Sequence, residues 1–495
     1  MNIEVFNKLV EQGYNRIPLI KEVLADLDTP LSSYLKLANG DYSYLFESVS
    51  GGEKWGRYSI IGLPCKTTIH INNSQITIKS DVSTEQLTDD DPLSWIEKYS
   101  QQYKVPEVEG IPKFTGGLVG YFGYETIRYI EPKLFNIDKK DLLNTPEILL
   151  MVSDEVIVFD NFSGKIFFVV HANTDNDDCY NKAQQRLDEL LEQLKTNIIK
   201  CNDDQAKNTI TEADFKSEFQ QEAYEESVRK IKQYIVDGDV MQVVLSQRMS
   251  IPYKSPPINL YRALRCLNPS PYMYYLNLKD FYIVGSSPEI LTRVEEEEIT
   301  VRPIAGTRPR GKTPQQDLDL EKELLDDPKE CAEHLMLIDL GRNDVGRVVQ
   351  TGSVEVTEKM LVERYSHVMH IVSNVVGKMQ KNVSIMDALK ATFPAGTVSG
   401  APKIRAMEII EELETVKRGI YSGAVGYISW EGNMDTAIAI RTAVIKDQTL
   451  YIQAGAGIVA DSDPTSEWQE TMNKGRAIFR AAAMAENGLE QNSDK

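Results

Sequence analysis

Runs of β-branched residues alternate with segments of helical periodicity along most of the chain, and this alternation restricts the fold more than any other feature. Residues 149–160 and 165–172 are two such apolar runs joined by Asn-Phe-Ser-Gly, which predicts a β-hairpin. Residues 180–195 then place leucines on one helical stripe. Strands and helices continue to alternate to residue 485, so the sequence favours an α/β or α+β architecture.

The chain is long enough for about three domains, or two large ones. The clearest boundary is a polar stretch before residue 214 that has no apolar periodicity. The predicted units are an N-terminal domain over 15–196, a linker over 197–213, a second domain over 214–485 and a tail over 486–495.

Acidic residues dominate the charge, with 74 Asp and Glu against 54 Lys and Arg and a formal net charge of −20. Nucleic acid is therefore excluded as the main partner, because phosphate binding needs a basic face. No stretch approaches the roughly 18 apolar residues of a membrane span, and we expect no signal peptide at the N-terminus. Five cysteines without metal-site spacing are typical of reduced thiols in a cytoplasmic protein.

Two predicted helices begin with one pattern, an Asp-Pro pair and then two glutamates three residues apart: Asp327-Pro328 with Glu330 and Glu333, and Asp463-Pro464 with Glu467 and Glu470. Proline suits the first helical position, and residues three apart share a helix face. The acids complement the helix dipole, or the two pairs donate oxygens to one Mg²⁺. Spacing alone leaves both interpretations open.

Other segments are suited to an anionic ligand. Small residues in Gln453–Gly457 and Pro394–Lys403 let backbone N–H groups approach such a ligand closely, although neither segment is a Walker loop. His370 is either a structural histidine or a general acid or base. A basic cluster is either a solvated loop or a device that steers an anion: Arg302, Arg308, Arg310 and Lys312.

Taken together and in order, these segments resemble the chorismate-utilising enzymes, and within that family the large subunits (component I) of anthranilate synthases. The resemblance spans roughly residues 15–485. The segments that carry it include Glu47-Ser48 with GGEKWGRYSIIG, GDVMQVVLSQR, LNPSPYMYYL, GSSPEILTR, RPIAGTRPRG, SHVMHIVSNV, FPAGTVSGAPKIRAMEII and QAGAGIVADSDPTSEWQET.

The resemblance implies a two-part assembly of large antiparallel sheets with helices packed outside. It also implies a reaction, in which chorismate is aminated with ammonia, loses its ring hydroxyl and eliminates pyruvate to give anthranilate. Mg²⁺ is required, and a glutamine amidotransferase subunit supplies the ammonia. This reaction is the first committed step of tryptophan biosynthesis, and tryptophan inhibits it.

The resemblance also assigns residues. Glu333 and Glu470 match metal ligands, with Glu330 and Glu467 contributing through water. His370 matches the residue that protonates the departing hydroxyl, while Glu289 and Thr397 position the hydroxyl or the ring. The matching substrate-binding residues are Gly306, Thr307, Tyr421, Arg441, Gly455, Ala456, Gly457 and Lys474.

Two positions separate members of the family. Gln242 stands where salicylate and isochorismate synthases have a water-activating lysine, and a neutral amide favours ammonia as the nucleophile. Ala305 stands where aminodeoxychorismate synthases commonly have a lysine. An aminodeoxychorismate synthase component I and a non-catalytic tryptophan-binding sensor remain the alternatives.

A second matched site implies an inhibitor. It comprises Glu47, Ser48, Asn268, Pro271, Tyr272 and Met273. A carboxylate can pair with the α-ammonium of tryptophan, and proline and methionine offer an apolar wall for the indole. The alternative is a core turn beside a surface acid. If the site binds tryptophan, we expect it to be coupled to the active site by domain reorientation.

Overall fold

A computed structural model describes residues 1–49, 56–108, 110–134, 139–199, 208–365 and 368–489. Residues 50–55, which carry part of the family resemblance, lie outside these ranges, as do parts of the predicted linker and tail. None of the described helices is both long enough and apolar enough to cross a membrane. Within these ranges Cys65, Cys179 and Cys331 are free thiols.

The first sheet has twelve strands in antiparallel pairs. Their spatial order is β1 (Arg16–Leu24), β10 (Lys165–Asn173), β9 (Glu155–Asp160), β3 (Tyr58–Gly62), β2 (Ser43–Glu47), β13 (Tyr272–Asn277), β14 (Phe281–Ser287), β23 (Thr442–Lys446), β24 (Thr449–Ile458), β12 (Gln242–Pro252) and β11 (Lys216–Ser217), with β20 (Gly400–Ala401) also paired to β12.

The second sheet also has twelve strands in antiparallel pairs. Their order is β17 (Ile304–Pro309), β19 (Val368–Lys378), β16 (Glu298–Val301), β15 (Ile290–Glu295), β22 (Met434–Ile438), β21 (Ala424–Ser429), β7 (Gly117–Phe122), β8 (Ile148–Ser153), β4 (Thr67–Asn72), β5 (Gln75–Lys79) and β6 (Thr84–Thr88), with β18 (Glu355–Arg364) also paired to β19.

The α-helices are Ile3–Glu11, Pro30–Leu37, Pro92–Gln101, Cys179–Thr196, Gln221–Val236, Pro257–Leu267, Pro314–Asp326, Pro328–Gly346, Ile385–Thr392, Lys403–Leu413 and Pro464–Glu486. Short 3₁₀ helices are Tyr124–Tyr129, Pro132–Leu134, Glu212–Asp214 and Gly396–Val398.

The two sheets pack face to face between outer helices, because their strands are apolar on both faces. In β9, Val156 and Val158 enter a core shared with the second sheet. Ile157 and Phe159 of the same strand enter a core shared with outer helices. Successive side chains of a strand point to opposite faces of the sheet, so alternate residues share a face. The predicted antiparallel sheets with helices outside are confirmed.

The predicted hairpin is confirmed for its second strand and corrected for its first. Strands β9 and β10 pair from Asp160 opposite Lys165 onward. The apolar run 149–160, however, is two strands: β8 belongs to the second sheet and β9 to the first. The chain changes sheet at Asp154. Because both strands are buried on both faces, hydrophobicity alone does not mark the break.

Both sheets combine strands from the two halves of the chain. In the first sheet β2 pairs with β13, and in the second β7 pairs with β21. The halves on either side of residues 197–213 therefore share their sheets and the core between them, while the predicted domain bounds stay a prediction.

Candidate active site

The small residues Gly455, Ala456 and Gly457, here called the glycine cradle, lie within β24, where that strand pairs with β12. The glycines are therefore part of a strand and not of a loop that follows one. A Cβ added at Gly457 would lie 2.6 Å from Nε2 of Gln242, and one at Gly455 would lie 2.8 Å from the hydroxyl oxygen of Tyr421. Glycine at these positions lets both side chains lie against the strand backbone.

Two helices bring their glutamates to this pair of strands. The Gln242 amide Nε2 donates a hydrogen bond of 2.9 Å to Oε1 of Glu333. Lys474 Nζ donates a 2.9 Å bond to the carbonyl oxygen of Gly455 and forms a 2.8 Å ion pair with Glu470. One predicted metal ligand is thus bonded to β12, and the other is linked to β24 through a lysine.

Both predicted helix starts are confirmed. The side chains of Asp327 and Asp463 accept backbone N–H groups of the first turn, and proline follows each of them. A 3.3 Å ion pair between Lys329 and Asp461 joins the region of one helix start to that of the other.

The two glutamates within each acidic pair repel one another. Burial, and after it the charge of Glu333, raises the pKa of Glu330. Burial and the charge of Glu470 likewise raise the pKa of Glu467. A cation beside either pair would offset this repulsion. In the described parts of the chain, no three His, Cys, Asp or Glu side chains form a group that holds a metal ion by itself.

A buried carboxyl group lies just before β15. Glu289 is 6% exposed, and the Thr397 hydroxyl donates a 3.0 Å hydrogen bond to its Oε1. Burial raises the pKa of Glu289 to about 8. At neutral pH this side chain is therefore mostly a carboxylic acid that carries a proton.

His370 on β19 differs from Glu289 in that it offers a basic atom and not an acidic proton. Its Nδ1 lies 2.9 Å from the carbonyl oxygen of Gly306 and 3.1 Å from Oγ1 of Thr307. Because a carbonyl only accepts, Nδ1 carries the ring proton and Nε2 is the basic nitrogen. Burial above all, with the positive charges of Arg441 and Lys474, lowers the pKa of His370 to about 4. The imidazole is neutral at physiological pH.

Arg441 lies between β22 and β23 in the left-handed backbone region, at φ 49°. Such strain in a non-glycine residue clusters at functional sites. Across the described residues no hydrogen bond or ion pair of its side chain is found, yet its charge acts on Glu289 and His370. Tyr365, which sequence reasoning missed, places its ring 5.6 Å from the His370 ring, and no motif marks it.

The predicted inhibitor residues lie elsewhere, around a cavity of about 380 Å³ between the two sheets. Five of the six line it: Glu47, Ser48, Pro271, Tyr272 and Met273. The sixth, Asn268, donates from Nδ2 a 3.1 Å bond to Oγ of Ser286.

Glu47 is already bound by the protein, a feature that sequence reasoning missed. The Arg265 guanidinium donates to both carboxylate oxygens, at 2.9 and 3.1 Å, and the Tyr261 hydroxyl donates to one of them. Both partners belong to the helix Pro257–Leu267, whose helical spacing puts them on one face toward β2. A cationic ligand of Glu47 would have to share it with Arg265.

Comparisons with known proteins identify the family of the chain. The family model of chorismate binding enzymes matches residues 44–480. Anthranilate synthase component 1 of Pseudomonas aeruginosa is 60% identical over 99% of this chain and 100% of that protein. The protein of the same name from Neisseria meningitidis is 57% identical over 97% of this chain and 98% of its own length.

Solved structures of related proteins have the same fold as this chain. Anthranilate synthase component I from Streptococcus pneumoniae TIGR4 has 37% identity and a TM-score of 0.77, covering 92% of this chain and 99% of that one. MenF, the menaquinone-specific isochorismate synthase from Escherichia coli, shares the fold at 19% identity and a TM-score of 0.70, with 97% and 98% covered. The predicted family, fold and enzyme class are confirmed. The chain belongs to the chorismate binding enzymes and, within them, to the anthranilate synthase component 1 proteins.

Proposed function

We propose that the chain is the catalytic subunit that converts chorismate and ammonia to anthranilate and pyruvate. The observation that carries the proposal is Gln242. Its neutral amide is hydrogen-bonded to Glu333 at the position where a water-activating base would be needed for a hydroxylated product. Nothing at this position competes with ammonia as the nucleophile.

Chorismate carries two carboxylates, and the site offers matching cations. Arg441 has guanidinium donors that are not used by the described residues, and a guanidinium binds a carboxylate through two parallel hydrogen bonds. Lys474, which is bonded to the Gly455 carbonyl, supplies a second positive charge, and the backbone at Gly455–Gly457 and the hydroxyl of Tyr421 lie beside it. Gly306 and Thr307 complete the proposed substrate contacts.

The donor set fits a magnesium ion. Mg²⁺ prefers oxygen ligands and usually binds one or two carboxylates together with waters and substrate oxygens. Glu333 and Glu470 would hold it, with Glu330 and Glu467 acting through water. The pKa values of Glu330 and Glu467 are raised first by burial and then by the charge of the neighbouring glutamate, and a bound cation would oppose both effects. When bound, Mg²⁺ would offset repulsion between the substrate carboxylate and the acidic site.

Loss of the ring hydroxyl needs a proton donor, because hydroxide is a poor leaving group. Glu289, with a pKa of about 8, holds such a proton at neutral pH. His370, with a pKa of about 4, is a neutral imidazole at that pH, and its one ring proton is bonded to the carbonyl oxygen of Gly306. We therefore assign the donor role to Glu289, positioned by Thr397, in place of His370. The free Nε2 of His370 is suited to accept a proton when pyruvate is eliminated.

The remaining parts of the proposal concern partners. A component 1 implies a second component, which we take to be the glutamine amidotransferase that supplies ammonia. Tryptophan would occupy the cavity between the sheets, with Pro271 and Met273 against its indole and Glu47 near its ammonium group. The reaction would then be the first committed step of tryptophan biosynthesis, in the cytoplasm.

The direct test supplies the purified chain with chorismate, Mg²⁺ and ammonium at alkaline pH, with and without glutamine. We expect blue-fluorescent anthranilate from ammonium alone, and none from glutamine until the amidotransferase is added. A non-fluorescent aminodeoxy product would identify an aminodeoxychorismate synthase instead. Tryptophan binding without turnover would identify a sensor.

Ser48→Phe is expected to weaken tryptophan inhibition at least tenfold without changing turnover, because an aromatic ring at the cavity wall would occupy the space of the indole. The measurement is the tryptophan concentration that halves anthranilate production. Ser83→Phe, in the exposed turn between β5 and β6, is the matched control. Equal inhibition of Ser48→Phe and the parent would remove tryptophan from this cavity.

A further inference from the structure

A buried ion pair lies under the proposed active site and has no role in the chemistry above. Glu414 and Arg418 have side chains only 2% and 1% exposed. The guanidinium donates Nη2 to Oε1 at 2.6 Å and Nε to Oε2 at 2.9 Å. A buried ion pair adds little net stability over apolar side chains of similar volume, since both charges lose their hydration. Its presence here calls for another explanation.

Every N–H of the Arg418 guanidinium is used. Besides the bonds to Glu414, Nη1 donates to the carbonyl of Val398 at 2.7 Å and to Oγ of Ser422 at 3.2 Å, and Nη2 donates to the carbonyl of Val244 at 2.8 Å. An arginine has five such donors in a fixed planar arrangement. One side chain therefore holds three separate segments at fixed relative positions.

Each of these segments carries a proposed active-site residue. Val398 follows Thr397, Val244 lies two residues after Gln242, and Ser422 follows Tyr421. The guanidinium carbon also lies 5.5 Å from the centre of the Tyr421 ring.

The carboxylate of Glu414 holds β12 at a second point. Its Oε1 accepts the backbone N–H of Ser246 at 2.8 Å and the Ser246 hydroxyl at 2.7 Å. Ser246 is the register partner of Gly455 in the cradle. Gln453 donates to the same hydroxyl at 2.8 Å. The ion pair thus contacts β12 directly and is linked to β24 through the Ser246 hydroxyl and Gln453.

We propose that Glu414 and Arg418 form a positioning pair for the reaction, which sets Thr397, Tyr421, Gln242 and the glycine cradle at the separations that catalysis requires. The inference rests on the proposed function and goes beyond it, because neither side chain is among the proposed substrate contacts. A lysine at position 418 would keep the charge but lacks the planar fork of five donors.

Arg418→Lys is the test, measured as kcat and KM for chorismate in the ammonium-dependent assay, well below the thermal midpoint of the variant. We expect kcat to fall about tenfold or more, with a smaller change in KM, because a displacement of about 1 Å in a site can cost up to about 10²-fold in rate. The matched control is Arg186→Lys. Arg186 donates to both carboxylate oxygens of Glu155, in a partly exposed pair between the helix Cys179–Thr196 and β9, and we expect the kcat of Arg186→Lys to be unchanged.

A kcat for Arg418→Lys within twofold of the parent would overturn the proposal. This holds even if the thermal midpoint of the variant falls, because lower stability with unchanged kcat is what a purely structural ion pair would give. Should Arg418→Lys fail to fold, Ser246→Ala decides, because it removes only one hydroxyl. A severalfold loss of kcat supports positioning, and an unchanged kcat overturns it. If the parent protein makes no anthranilate, both the proposed function and this inference are wrong. If the parent is active and the variants have the same kcat, only the inference is wrong.

Discussion

Glu289→Gln is expected to lower kcat for anthranilate formation by about 10²–10⁴-fold, the range that a positioned general acid contributes. The amide preserves the shape of the side chain and can still accept the hydrogen bond from Thr397. The N–H groups of an amide are far too weakly acidic to protonate the departing hydroxyl. Thermal unfolding of the variant should be close to that of the parent, because the buried carboxyl is already neutral at neutral pH.

The pH profile provides a second readout for Glu289. With ammonium as the nitrogen source, the rate of the parent should rise with pH as ammonium loses its proton. It should fall again above about pH 8, where Glu289 ionises. In Glu289→Gln the fall should disappear, leaving a low rate that only rises. A fall that persists in the variant would assign the donor to another group.

The same shift predicts a stability effect with a defined sign. The folded chain keeps the Glu289 proton up to pH about 8, whereas the unfolded chain releases it near the ordinary value of 4.5. The folded state binds more protons in this window, so the contribution to the free energy of unfolding decreases as pH rises from 4.5 to 8. The control for the kcat and pH-profile measurements is Glu297→Gln, in the exposed turn at the other end of β15. We expect this variant to have the kcat and the pH profile of the parent.

Features that depend on neighbours in sequence were predictable. The caps at Asp327 and Asp463 follow from a local rule, since the capping side chain bonds to the turn that it begins. The hairpin of β9 and β10 follows from its turn sequence. The family resemblance added the site residues, including Glu289 with Thr397 and His370 with Gly306, which the fold brings into contact.

Features that depend on distant partners were not predictable. The change of sheet at Asp154 is invisible because both flanking strands are apolar on both faces. The protonation of Glu289 and the neutrality of His370 arise from burial, which no spacing reveals. The binding of Glu47 by Arg265 joins residues 218 positions apart. Each of these features depends on the tertiary environment of a side chain, which cannot be inferred from the residue type alone.

Glu470→Ala is expected to raise the Mg²⁺ concentration required for half-maximal activity at least 10–100-fold, since changes to groups that merely support metal ligands already cost about that much affinity. The fold should persist. Glu470 is 47% exposed, and its ion pair with Lys474, one helical turn away, is of a kind that contributes little stability. Glu222→Ala, which removes an exposed first-turn acid from another helix, is the matched control.

Thermal unfolding gives a readout that does not depend on turnover. An ion that binds only the folded chain stabilises it by mass action, so the midpoint of the parent should rise with added Mg²⁺. The midpoint of Glu470→Ala should rise only at much higher concentrations. An identical Mg²⁺ response in variant and parent would remove Glu470 from the proposed ligands.

Combining Glu470→Ala with Glu333→Gln distinguishes one shared ion from two separate ones. If the two glutamates, on different helices, hold the same ion, the first substitution already removes most of the Mg²⁺ response. The second then adds little, because the effects of residues that share a partner are not additive. Two independent ions would give losses that add. Additive losses would therefore contradict the proposal that both helix starts serve a single magnesium site.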